Sequence, residues 1–151
     1  MNKYQSEAHD RADMLQLAYL YAKAMDGNLP GILPEIMTKD IEIIGPGFHM
    51  TGMEQVLEIP ANLGKMFLKT RHLIHNQTVT VDNGEAEGET YCTASHVLPP
   101  SGEGGDHQLL VWAIRYQERF RRDGAQWRFT RRELILDWTE TRNISYSADV
   151  K

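Results

Sequence analysis

The sequence predicts an α+β domain in which helices come first and a meander of long antiparallel strands follows. Three observations carry this. Apolar residues at helical spacing mark the first quarter of the chain, Thr- and Val-rich stretches with period-two alternation fill the second half, and Asp-Asn-Gly and Asp-Gly turns join neighbouring strands. Helices packed on one face of a strongly curved sheet make a cone-shaped α+β barrel with an apolar interior, a natural ligand cavity.

From Ala8 to Met25, apolar residues at Met14, Leu17, Ala18, Tyr21, Ala24 and Met25 follow i, i+3, i+4, i+7 spacing, which predicts an amphipathic helix. Gly27 is placed to end it in a left-handed turn, and Asp26 then faces the negative end of the helix dipole, a poor position for a carboxylate. Pro30 to Met37 reads as a short second helix and Asp40 to Ile44 as a short strand, stopped by Gly45-Pro46-Gly47. Gly52 to Phe67 is a third helical region, broken near Pro60 because the residue before a proline avoids helical angles.

Thr70 to Gly84 is a long strand closed by Asp82-Asn83-Gly84. Alternation places His72, Ile74, Asn76 and Thr78 on one face and Arg71, Leu73, His75 and Gln77 on the other. If the His72 face is interior, an imidazole and a carboxamide sit side by side among apolar neighbours, which suits a pocket better than a plain core, and Asp26 at the end of the first helix is the expected partner of His72. Three further strands follow at Glu85–Leu98, His107–Arg121 and Trp127–Trp138. The first two are separated by the Pro99–Gly105 loop and the last two by the Asp123-Gly124 turn.

At 151 residues the chain suits one domain over 1–151, with a core of about 8–140 and a polar, flexible tail over 141–151. Its net charge of −5 argues against nucleic acid as a partner; the arginines between Arg119 and Arg132 straddle a turn and read as a solvated hairpin end. Cys92 is the only cysteine, which excludes an intrachain disulfide and favours a reducing, cytoplasmic home. There is no run of eighteen apolar residues and no apolar stretch at the N-terminus, so neither a membrane span nor a signal peptide is expected. His72 and His75 lie three apart on a strand and cannot ligate one ion together, so no metal is expected.

Tyr21 to Asp26, Thr70-Arg71-His72 with Asn76, and Arg121 to Arg132 through Asp123-Gly124 and Trp127 together resemble the SnoaL-like branch of the nuclear transport factor 2-like superfamily. The resemblance covers roughly Arg11 to Trp138. Lyases of that branch include scytalone dehydratase and hexachlorocyclohexane dehydrochlorinase, in the latter of which an aspartate ending helix one and a histidine on the first long strand form a catalytic dyad completed by an arginine. The resemblance thereby implies Asp26, His72 and Arg132 in those roles. It also implies a cofactor-independent elimination on a hydrophobic cyclic or aromatic small molecule, and assembly as a homo-dimer or homo-trimer.

In such a site His72 is the base, Asp26 accepts from its second nitrogen, and Arg132 binds developing negative charge. The alternative for Arg132 is a surface pair with Glu133 or Asp137. Tyr21, Asn76, Tyr91, Trp112 and Trp138 are the candidate substrate-binding residues, with Phe67 and Met66 beside them, although the aromatic ones also suit plain packing. His96, before Pro99-Pro100, is expected to face solvent. A ketosteroid-isomerase-like site would need its base on the short strand, where Glu42 is the only carboxylate. A non-catalytic ligand-binding or assembly module of the same fold is the other reading, and a C-terminal lid a further one.

Overall fold

The computed structural model describes residues 2–100 and 106–147. Helix α1 (Lys3–Asp26) begins earlier than its apolar stripe, because Asn2 and Gln5 close a capping box, each side chain accepting the other's main-chain N–H at 3.0 Å. Its end differs from expectation. Gly27 remains right-handed at φ −97°, and Asn28 takes the left-handed turn at φ 49° while Leu29 N–H reaches back to the Ala24 carbonyl at 2.9 Å. A 3-10 turn at Pro30–Ile32 leads into α2 (Leu33–Ile36), β1 (Met37–Gly45), β2 (Phe48–Thr51), α3 (Met53–Val56) and α4 (Ile59–Met66). The long strands are β3 (Lys69–Asp82), β4 (Glu85–Val97), β5 (His107–Asp123) and β6 (Gln126–Ile144).

Helices on a curved, mostly antiparallel sheet give the expected α+β plan. The sheet order is β2-β1-β6-β5-β4-β3, with β1 parallel to β6, and the sheet does not close on itself. β2 was not foreseen; its four residues pair back onto β1 across Pro46-Gly47. The helical region does break ahead of Pro60, at Leu57 and Glu58, but not for the expected reason: Ile59 is itself the first residue of α4, and Pro60 sits in the first turn, where its missing N–H costs no intrahelical bond. Asn83 and Gly84 both take positive φ, the geometry of a two-residue hairpin loop between β3 and β4. β6 runs on to Ile144, so 141–144, assigned to the tail, pair with His107–Leu110. Residues 101–105 of the Pro99–Gly105 loop, and 148–151 of the proposed lid, lie outside the described residues.

Among the described residues, besides an irregularity in β1 between Met37 and Glu42, three bulges in the antiparallel strands decide which side chains face inward. One lies in β3 between Ile74 and Gln77, one in β6 at Thr130 and one at Asp137. Each inserts a residue and reverses the alternation beyond it.

Helix α1 covers the open edge of β3. Arg11 Nη1 donates to the Val79 carbonyl at 2.8 Å and Asp26 Oδ2 accepts the His72 main-chain N–H at 2.8 Å. From Arg11 to Asp26 the helix rises about 22 Å, and from Val79 back to His72 the strand covers about 23 Å, so the two elements stay in step over this length. Edge groups that would otherwise be orphaned are satisfied by helix side chains at both ends. Buried Asp10 ties the other flank of α1 to the β5–β6 hairpin, accepting from Trp127 Nε1 at 2.9 Å and from Arg122. Between helix and sheet lies one apolar core that includes Met14, Leu17, Met25, Ile36, Ile41, Phe120 and Phe129.

Candidate active site

His72 and Asp26 meet. Imidazole Nδ1 lies 2.6 Å from Asp26 Oδ1, with the His72 side chain 7% and the Asp26 side chain 25% exposed. Thr70 Oγ1 donates to the same Oδ1 at 2.9 Å and the His72 amide to Oδ2, so one three-residue segment of β3 supplies three donors to one carboxylate. Burial pushes the Asp26 carboxyl up, but the imidazole and amide hydrogen bonds, the charge attraction of His72 and the Thr70 hydroxyl outweigh it and hold the group below the usual carboxylate range. With an ionised acceptor at Oδ1 the ring proton belongs on Nδ1, and Nε2 makes no hydrogen bond among the described residues.

The concave face around the dyad follows from the register. His72 opposes Ala94, which opposes Trp112; Ile74 opposes Cys92, which opposes Ile114 and then Leu136. Ile74, Trp112, Leu134 and Leu136 point into the cone yet remain incompletely covered, and Met66 is exposed where α4 gives way to β3. His96 is buried here instead of facing solvent, because its parity is that of Cys92 and Ala94. Its ring packs 4.5 Å from Phe67, 5.0 Å from Trp112 and 6.2 Å from His72, centroid to centroid, and Nδ1 donates to the Leu110 carbonyl at 3.1 Å. Burial lowers its pKa, which keeps it a neutral imidazole with Nε2 as acceptor.

Arg132 is fully buried, and neither Glu133 nor Asp137 is its partner. Those carboxylates pair with Arg131 at 3.1 Å and Arg115 at 2.8 Å. Arg132 instead donates from Nε and Nη2 to Glu118 Oε1 at 3.1 and 2.7 Å, while Glu118 Oε2 accepts from Thr90, which in turn accepts from Gln77. Its guanidinium carbon lies 3.8 Å from the Tyr116 ring centroid, 4.2 Å from Tyr21 and 4.6 Å from Phe129. Burial works against the guanidinium's charge, and Glu118 more than restores it. Among the described residues Nη1 alone has no partner. Tyr21 is thereby part of the core wall, edge-on to Tyr116 at 6.1 Å, its phenol pushed up by burial.

Three expected pocket residues lie elsewhere. The β3 bulge turns Asn76 outward and brings Gln77 inward, and the bulge at Asp137 sends Trp138 to the outer face, 66% exposed. Tyr91 is exposed on the same outer face because its neighbours Thr90 and Cys92 point in. Conversely, Thr70, His96 and Glu118 were missed, although each falls on the inward parity of its strand. Cys92 is an inert neighbour whose thiol burial pushes up to about 12. Two recesses, of about 400 and 430 Å³, are away from the dyad. The first is lined by Thr78, Thr80, Glu87, Glu89 and Arg119, the second by Lys39, Asp40, Arg121 and Arg128.

Solved structures share this arrangement of the chain. A hexachlorocyclohexane dehydrochlorinase (LinA) type 2 superposes with a TM-score of 0.82 at 20% identity, covering 99% of this chain and 100% of that one. A scytalone dehydratase-like protein from Novosphingobium aromaticivorans gives 0.78 at 21% identity, covering 96% and 94%. The Kfla4162 protein from Kribbella flavida gives 0.78 at 25% identity, covering 89% and 95%. No curated protein matches the sequence. Likeness at these identities establishes the fold, and some structures that share it belong to lyases. Residues 6–133 match the SnoaL-like domain family, and the chain belongs to it.

Proposed function

We propose that the protein is a cofactor-independent lyase acting on a hydrophobic, cyclic or aromatic small molecule. The observation that carries this reading is the 2.6 Å contact between His72 Nδ1 and Asp26 Oδ1 at the concave face, with Nε2 left free. In this reading Nε2 removes a proton next to an activated carbon, the leaving group departs from the neighbouring atom, and Asp26 stabilises the imidazolium that forms. Water, halide or a carbonyl fragment is the class of group lost. Arg132 is the arginine the family resemblance brings to the leaving-group end; its Nη1 is uncommitted but buried beside Tyr21 and Tyr116, so it reaches a substrate only when that ring wall shifts. Trp112, Phe67 and neutral His96 form the aromatic wall against which the substrate lies.

The dehydratase-like and dehydrochlorinase relatives support the reaction class without extending their substrates to this chain. An isomerase with its base on β1 has less support, since Glu42 pairs with exposed His49 at 2.7 Å. A second reading, a non-catalytic module of the same fold, is favoured by the two recesses lying away from the dyad. Assembly as a homo-dimer or homo-trimer in a reducing compartment completes the proposal. Among the described residues no helix is long and apolar enough to cross a membrane.

The test is a screen of cyclic alcohols and halides that carry an acidic proton beside the leaving group. It compares the wild type with His72→Ala and checks that circular dichroism and oligomeric state are unchanged. Elimination lost in the variant supports the lyase. Turnover retained there overturns the dyad, and ligand binding without turnover by the wild type favours the module.

A further inference from the structure

Asp26 has two oxygens and a rotatable carboxylate, and only one orientation serves the imidazole. Oδ2 is anchored by the His72 amide at 2.8 Å, a bond fixed by the strand backbone. Oδ1 receives Nδ1 at 2.6 Å and, from the same side of β3 two residues earlier, the Thr70 hydroxyl at 2.9 Å. Thr70 is 92% covered, and a hydroxyl there without an acceptor would carry an unmet desolvation cost.

We propose that Thr70 is a positioning residue of the dyad, its hydroxyl holding Asp26 Oδ1 toward the imidazole and keeping the ring proton on Nδ1. This rests on the dyad reading and adds to it a third member acting through the aspartate. The physical argument concerns competition for one proton. A carboxylate that accepts two hydrogen bonds besides the imidazole's is the weaker base of the pair, so the Nδ1 proton stays on the ring when Nε2 takes up another. Removing the hydroxyl leaves Oδ1 held by the very group whose proton is in play, and makes the carboxylate the better acceptor. The other titratable groups that sense Asp26 are His96 and Cys92 on β4, both inward-facing; neither is hydrogen-bonded to it.

The experiment uses the whole protein and needs no substrate. Thr70→Val keeps the β-branched shape and loses only the hydroxyl, whereas Thr70→Ser keeps the hydroxyl. Carboxyl carbon NMR follows the titration of Asp26, and long-range proton–nitrogen spectra report which ring nitrogen of His72 carries the proton. The expected result is an Asp26 titration displaced to higher pH in Thr70→Val, with a weakened Nδ1–H signal, and both returned toward wild type in Thr70→Ser. An unchanged titration and Nδ1–H signal in Thr70→Val overturns the proposal, as does a Thr70→Ser variant that behaves like Thr70→Val. Should Thr70→Val not fold, Thr70→Ala is read in the same way. With a substrate in hand, Thr70→Val lowers kcat about tenfold with KM nearly unchanged. Turnover retained by His72→Ala removes the dyad reading, and the NMR outcome for Thr70 stands apart from it.

Discussion

Asp26 Oδ2 accepts the main-chain N–H of His72 at 2.8 Å, so the carboxylate that faces the imidazole also closes the open edge of β3. One residue at the end of a helix thus performs an architectural task and holds the candidate base. Its poor place at the helix C-terminus is offset by three donors from the strand.

His72→Ala and Asp26→Asn are expected to lower turnover about 10²- to 10⁴-fold, the range for loss of a positioned proton-transfer group or its partner. Steady-state kinetics on the first substrate found checks this, and an Asp26→Asn enzyme within twofold of wild type would remove the orienting role.

Asp26 also links stability to pH. Its folded-state pKa lies below its unfolded value, so its contribution is full above the ordinary carboxylate range of about 4 and is lost as pH falls through the folded pKa. Urea midpoints of wild type and Asp26→Asn should therefore differ at pH 6, and the gap should narrow as pH falls below about 4. A constant gap across that window would contradict the linkage.

The Arg132–Glu118 pair makes a sharper demand. Glu118→Leu leaves a buried guanidinium without its counter-charge, which costs about 3–5 kcal/mol, and Arg132→Met likewise strands the carboxylate, whereas the double change Glu118→Leu with Arg132→Met removes both charges and costs less than the sum of those two singles. A double-mutant cycle from urea denaturation measures the difference; additive effects would show that the pair is not coupled.

Asp10→Ala leaves Trp127 Nε1 and Arg122 without their acceptor and should destabilise the fold by about 1–3 kcal/mol. It lies far from the dyad, so kcat measured well below the melting temperature should not change. Loss of activity in a folded Asp10→Ala protein would mean that α1 transmits the damage to Asp26.

The bulge in β3 predicts opposite behaviour for two neighbours. Asn76→Ala, on the outer face, should change stability by no more than about 0.5 kcal/mol, whereas Gln77→Ala breaks the 2.9 Å bond to buried Thr90 and should cost about 1 kcal/mol. Equal effects in urea denaturation would place both residues on the same face.

Local rules made much of this protein legible. The apolar stripe that leads to Asp26, the Asn83-Gly84 hairpin and the alternation from Thr70 to Ile74 all depend on neighbours within a few residues, where periodicity and turn chemistry act. The meeting of Asp26 with His72 was implied by the family resemblance; a helix end and the start of a later strand allow the contact but do not by themselves dictate it. Asn76 and Trp138 differ from expectation for a common reason: a bulge shifts the alternation, and its position is set by the pairing of two strands, which period-two reading of one strand does not see. His96 is buried and Tyr91 exposed because strand parity, not residue type, sets the face each takes on β4.

What the sequence by itself determined was the succession of elements, their inward stripes and the family to which they belong, because these follow from short-range periodicity. What only the tertiary structure decided was which polar groups share a buried site. Glu118 neutralises Arg132, Thr70 and the His72 amide hold Asp26, and His96 lies between Phe67 and Trp112. Those pairings join residues on different strands and helices, and they are fixed by sheet register and by the need of each desolvated polar group for a partner.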